Sequence, residues 1–162
     1  MKQAGEVVTV GPEIRDYESL EGLKIRPHTT LRDLDTDGVD LFVIPGGNPD
    51  KVADDEDLKR VLRELDAKNK AIAAICAGPA VIARSGILEG RRFNSSVVAE
   101  RKAEFAGAIH EDKDVVEDGN IVTALRNAYA DLALCLGRKM GIFADAAEYE
   151  QAVRVHREFK RS

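Results

Sequence analysis

The 162-residue sequence predicts an α/β fold: a mostly parallel sheet covered by helices on both faces. Three observations predict it. Short runs rich in Val and Ile recur along the chain, as EVVTV (6–10), DLFVI (40–44), AIAAI (71–75) and NIVTA (120–124). Longer segments between them carry apolar residues at spacings of three and four, the helical period. AIAAI has no polar alternation at all, which marks a strand buried on both faces in the middle of a parallel sheet.

Taken in order, EVVTV is the first main strand, and LKIRP near residue 25 reads as a shorter or edge strand. DLFVI is followed by PGGN (45–48), a turn signal. Val52, Leu58, Val61, Leu62 and Leu65 then recur on one face and predict a crossover helix leading to AIAAI. Cys76 comes directly after that strand. Helical spacing resumes through Ala77, Ala80, Val81 and Leu88, with Gly86 and Gly90 to end it. DVVE near 115 is a second short or edge strand, and EDG (117–119) turns the chain into NIVTA. A helix follows over 127–140, with Tyr129, Leu132, Ala133, Leu136 and Met140 on one stripe and Gly141 as its stop. The last helix runs from about 145 to 159, capped by Asp145, with Tyr149, Ala152, Val153 and His156 inward. No repeat, linker or low-complexity tract interrupts this order, so residues 1–162 read as a single domain.

Composition excludes several classes. Lys and Arg number 24 against 29 Asp and Glu, a net charge of -5, which offers no basic footprint for nucleic acid. Aromatic residues make up only 5%, with no Trp, too few for base-stacking platforms. The uncharged run 71–83 is too short to span a bilayer, and MKQAGEVVTVG lacks a signal-peptide core, so a cytoplasmic location and no membrane partner are expected. The two cysteines, Cys76 and Cys135, form no CxxC pair, and neither a disulfide framework, a metal site nor a cofactor is predicted.

The chemistry centres on Cys76. Ala74-Ile75-Cys76-Ala77-Gly78 is a small-x-nucleophile-x-Gly pattern, in which the chain turns so sharply that larger side chains two positions either side would collide. A nucleophile there sits at the carboxyl edge of the sheet, where open α/β folds bind ligands. The following helix start, with Pro79 in its first turn, offers partial positive charge and free N–H groups to a thiolate or an oxyanion. PGGN leaves DLFVI at the same edge, and its glycines let backbone N–H groups approach closely. Against this stands the ordinary fate of a free cysteine, a small buried hydrophobe, and that of PGGN as a plain turn.

VIPGGN (43–48), AAICAGP (73–79), SGILEGRR (85–92) and DVVEDGNIVTA (114–124), in this order, resemble the ThiJ/PfpI superfamily over essentially the whole chain from Ala4 onward. The resemblance implies a flavodoxin-like three-layer α/β/α sandwich, a reactive cysteine at the elbow and a homodimer or higher homo-oligomer. It implies Cys76 as nucleophile, with Gly47 and Ala77 supplying backbone N–H groups that face the sulfur or the oxyanion, and Gly46 of the same PGGN turn is a further backbone candidate. The protease branch has a histidine where this chain has Ala77, so a deglycase-like branch fits better. That branch draws its histidine from the segment after the elbow helix, where His110 is the one candidate, about two positions late. His28 and His156 read as structural or exposed. Family members open with a strand, a Gly-x-x-Glu turn and a helix, whose glutamate hydrogen-bonds the cysteine. MKQAG matches the end of that helix, so the first strand and the glutamate are expected to be missing.

The function expected is a cysteine-dependent enzyme acting on small carbonyl or amide compounds, of the glyoxalase or deglycase type. A non-catalytic redox-sensing protein with an oxidisable Cys76 is the first alternative, and an intracellular cysteine peptidase the second. A class I glutamine amidotransferase fits less well, because it expects a glycine where Ala74 stands and a His-x-Glu pair, whereas His110 precedes Glu111 directly.

Overall fold

The computed structural model of the chain describes residues 5–19 and 22–160. Its first half holds the strands β1 (Val10–Gly11), β2 (Tyr17–Glu18), β3 (Lys24–Ile25), β4 (Thr29–Thr30) and β5 (Leu41–Ile44). A 3-10 turn (Pro49–Lys51) leads to helix α1 (Glu56–Ala67), strand β6 (Ala71–Ile75) and helix α2 (Pro79–Ser85). Strands β7 (Arg92–Phe93), β8 (Ile109–His110), β9 (Val115–Asp118) and β10 (Ile121–Ala124) follow, and helices α3 (Tyr129–Lys139) and α4 (Ala146–His156) complete the order.

The main sheet runs β5-β6-β10-β9, with the first three strands parallel and β9 antiparallel. Side chains of β6 alternate between two cores. Ile72 and Ala74 join Val61, Leu62 and Leu65 of α1 and Ala80, Val81 and Ile82 of α2 on one face. Ala73 faces the other way, with Val122 and Ala124 of β10 and Leu132 and Leu136 of α3. That is the expected three-layer sandwich, with AIAAI at its centre, four of its five residues buried. Each fully buried Leu or Ile contributes about 1.5–3 kcal/mol relative to an exposed one, so these two clusters hold the layers together. Asp145 caps the last helix as expected, its carboxylate accepting the Glu148 N–H at 2.9 Å, and α1 is capped by Asp55, which accepts the Leu58 N–H at 2.9 Å. Gly86 ends α2 at φ +87, a left-handed position suited to glycine.

Several expectations are corrected. EVVTV is a strand only at its end, where Val10–Gly11 pairs with Thr29–Thr30 in a separate two-stranded ladder, and Val7 is 84% exposed. The physical reason is the lack of a neighbour: β5 pairs with β6 on one side and with no described residue on the other, so nothing links EVVTV to the main sheet by hydrogen bonds. The opening MKQA, on which the expectation of a missing first strand and helix rests, lies outside the described residues. LKIRP forms only the two-residue β3, paired with β2. Val52 belongs to the turn before α1, because Asp55 caps the helix after it. The elbow helix stops at Ser85, which leaves Leu88 in the turn beyond, still buried. On α3 the buried leucines are 132, 134 and 136, while Tyr129 is exposed and Ala133 faces solvent, since Leu132 and Leu136 seat the helix on β10. On α4 no residue is fully buried and His156 is exposed, because α4 packs on α3 and not on the sheet.

Candidate active site

β5, β6 and β10 run parallel and in register, so their carboxyl ends deliver three turns to one edge: Pro45–Asn48, Cys76–Gly78 and Leu125–Asn127. Cys76 is the joint between β6 and α2. Its φ is +62, a left-handed backbone for a residue that carries a Cβ. Such a conformation costs on the order of 1–3 kcal/mol and persists only where the surroundings enforce it. Here the main chain is held on both sides. The Cys76 N–H donates to the Ala124 carbonyl at 2.9 Å, and the Cys76 carbonyl accepts from Ser96 N–H at 3.0 Å and from the Ser95 hydroxyl at 2.7 Å.

The small residues around it are required by space. A Cβ on Gly46 would lie 2.9 Å from the Cys76 Cβ and 3.5 Å from its Sγ. A Cβ on Gly78 would lie 2.9 Å from the Ile44 carbonyl and 3.0 Å from that of Ile75. PGGN is therefore packed directly against the cysteine, which the sequence could suggest only by placing both turns at one edge. Gly47 has φ +149 and open space around it. Ala77 is buried, at 5% exposure. Among the described residues, the N–H groups of Gly46, Gly47 and Ala77 make no hydrogen bond. Gly46 and Gly47 are exposed, and Gly46 is the one of the three that packs on the Cys76 side chain.

His110 lies at some remove. Its Nε2 is 3.0 Å from Asn94 Oδ1, its ring is tilted against Phe93, and no hydrogen bond joins it to Cys76 among the described residues. Asn94 in turn is buried: its N–H donates to Thr123 Oγ1 at 2.9 Å, its side-chain amide donates to the Lys113 carbonyl, and its Oδ1 also accepts the Ser95 N–H at 2.8 Å. His110 thus reaches Cys76 only through Asn94 and Ser95. His28 is exposed and hydrogen-bonds Thr9. The sequence reading missed Asn94, Ser95 and Ser96. The one signal that could have found them is the polar run FNSS after SGILEGRR, short residues suited to bonding backbone at a turn.

The second thiol is different in kind. Burial pushes the Cys135 thiol above its ordinary value, and the negative Glu117 beside it, 3.7 Å from the sulfur, adds to the rise. Two surface cavities, about 200 Å³ beside Gly86 and Gly107 and about 250 Å³ beside Phe143 and Ala152, are not lined by Cys76. The cysteine opens instead at the sheet edge. Among the described residues no group of three or more His, Cys, Asp or Glu is placed to hold a metal ion, and no helix is long and apolar enough to cross a membrane.

This edge cysteine on a three-layer sandwich matches a known class. The model of the DJ-1/PfpI family matches residues 1–136, and the chain belongs to that family. It is 39% identical over 115 residues to an uncharacterized protein of Methanocaldococcus jannaschii, covering 68% of this chain and 56% of that protein. It is 31% identical over 104 residues to the deglycase PfpI of Pyrococcus furiosus, covering 64% of this chain and 63% of that protein. Among solved structures, a DJ-1 superfamily protein of Agrobacterium tumefaciens superposes with a TM-score of 0.79 at 27% identity, over 97% of this chain and 86% of that one. The chain spans less than two thirds of its M. jannaschii relative and of a similar Archaeoglobus fulgidus protein, 56% and 62% of their lengths.

Proposed function

We propose that this protein is a cysteine-dependent enzyme acting on small carbonyl or amide compounds, of the glyoxalase or deglycase type, with Cys76 as nucleophile. The observation that carries the reading is the positive φ of Cys76 at the joint of β6 and α2, a strained geometry with Gly46 packed against its side chain. Relatives named as deglycases, at 31% and 32% identity, agree with it. In the first step the Cys76 thiolate adds to the carbonyl carbon. The S–C bond forms as the carbonyl π pair moves onto oxygen, and the N–H groups of Gly46, Gly47 and Ala77 are the donors for that oxyanion. With an amide the oxyanion's pair then re-forms the carbonyl as the C–N bond breaks, the nitrogen leaves with a proton from solvent, and water adds to the resulting thioester and breaks its S–C bond, releasing the carboxylic acid and restoring the thiol.

His110 enters this scheme as a proton partner only if its bond to Asn94 breaks. The protein is further proposed to work in the cytoplasm as a homodimer or higher oligomer. The test compares the two thiols and the substrate. Iodoacetamide near neutral pH should label Cys76 much faster than Cys135, and methylglyoxal should be consumed by the wild type and not by Cys76→Ser. His110→Ala should leave Cys76 labelling within about twofold, as its bonds lie elsewhere. Equal labelling of both cysteines, with no methylglyoxal consumed, would sink the reading. A stable gain of two oxygens at Cys76 under mild peroxide, without turnover, would favour the redox-sensing alternative.

A further inference from the structure

Three segments meet at Cys76: the Pro45–Asn48 turn that packs Gly46 on its side chain, the elbow helix α2 that follows it, and the Ser95–Ser96 stretch that holds its carbonyl. The same three segments are tied together a second time, away from the thiol. Asp50, two residues past the PGGN turn, receives both guanidinium nitrogens of Arg101, at 2.9 and 2.7 Å, and one of Arg84 at 2.7 Å. Arg84 is in the last turn of α2, and Arg101 lies five residues beyond Ser96. Glu104 closes the ring, accepting from Arg84 at 3.1 and 3.2 Å and from Arg101 at 2.6 Å. The side chains of Arg84, Arg101 and Glu104 are only 20–22% exposed, so this is a half-buried, geometrically matched network and not a set of loose surface pairs.

The turn needs such a restraint. Two successive glycines leave its backbone with more freedom than any other pair of residues, and N–H donors stabilise an oxyanion only when their direction is fixed before the reaction. On one side β5 anchors the turn. On the other, the Asp50 N–H donates to Asn48 Oδ1 at 3.0 Å, buried Pro49 accepts the Val52 and Ala53 N–H groups at 3.1 and 2.8 Å, and the Asp50 side chain adds the tie to α2 and to Arg101.

We propose that the Asp50–Arg101–Arg84–Glu104 network positions the Gly46–Gly47 backbone donors over Cys76, so that these four are positioning residues for oxyanion stabilisation. The inference rests on the function proposed above and goes beyond it by naming what holds the donors. Two reactions of the same thiol separate it from a general structural role. Alkylation by iodoacetamide displaces iodide and creates no oxyanion, whereas addition to methylglyoxal does. Asp50→Asn, and Arg101→Lys, which keeps the charge but loses the two-nitrogen grip, should each lower kcat/KM for methylglyoxal about tenfold, through kcat. Each should leave the rate of Cys76 alkylation within about twofold. Equal loss in both reactions, or no loss in either, overturns the proposal, and if Asp50→Asn does not fold, Arg101→Lys decides. A wild-type chain that consumes no methylglyoxal sinks the underlying reading, and this inference with it, which is a different result from an active wild type with unaffected variants.

Discussion

At Cys76 the fold forces a side-chain-bearing residue into the conformation that glycine adopts freely, with φ +62. Among the described residues, two other non-glycine residues share a positive φ, Asn69 and Phe159. Asn69 follows α1, where an asparagine tolerates the left-handed region, and Phe159 lies near the chain end, so only Cys76 holds it at a joint of the core. The strain is testable by substitution. Cys76→Ala keeps the Cβ and the strain, whereas Cys76→Gly removes both. Cys76→Gly should therefore be at least as stable as Cys76→Ala, by up to about 1 kcal/mol, although glycine normally weakens a protein. Thermal melts of the two variants check this. A clearly lower midpoint for the glycine variant would mean that the backbone is not strained there.

The element that most depends on charge is the junction of the 3-10 turn, α2 and the segment carrying Arg101. Hydrogen bonds from Arg101 hold the Asp50 carboxyl down to about 2, below the ordinary carboxylate value. Glu104, which burial alone would push up, is held below its usual value by Arg84 and Arg101. For both groups the folded state binds its proton more weakly than the unfolded chain. Their stabilisation is therefore fully present above the unfolded value near pH 4 and is lost as pH falls below it, for Asp50 through about 2. The expected outcome is a melting midpoint that is flat for these groups above about pH 5 and drops below pH 4. Asp50→Asn should flatten part of that drop, and an unchanged acid profile would mean that the pairs contribute nothing net to folding.

For the molecule as a whole, the two clusters on either face of β6 account for one cooperative core, while the outer elements are thinly held. β5 has no described partner on its outer edge and Val43 on it is 48% exposed, Val7 and Val8 are exposed, and α4 buries no residue fully. Apolar groups left in water favour association. The proposed oligomer is accordingly expected in sedimentation velocity as a species of at least twice the 17.7 kDa chain mass, about 35 kDa. A single 17.7 kDa species at micromolar concentration would overturn it.

The strands DLFVI, AIAAI and NIVTA, the buried character of AIAAI, the cap at Asp145 and the elbow at Cys76 all follow from patterns within a few residues. Such patterns are written directly in the sequence, because backbone preference and side-chain periodicity act locally. What lay beyond it was decided by pairing across the chain. EVVTV reads as a full strand, yet it needs a neighbour to become one, and only its last residue, Val10, finds one, pairing with Thr29. The stripe on α3 turned on where Leu132 and Leu136 seat on β10. His110 fits a catalytic pattern by type, but its partner is Asn94, sixteen positions away. Asp50 and Arg101 stand 51 positions apart, and Arg84 and Asp50 stand 34 apart. No spacing rule links charges at such separations, since each is one of many on a sequence with 33% charged residues. The sequence by itself placed a thiol at a sheet edge between small residues. Only the tertiary structure decided what braces the turn above it, because ion pairs form between side chains that folding brings near, and not between those that lie near along the chain.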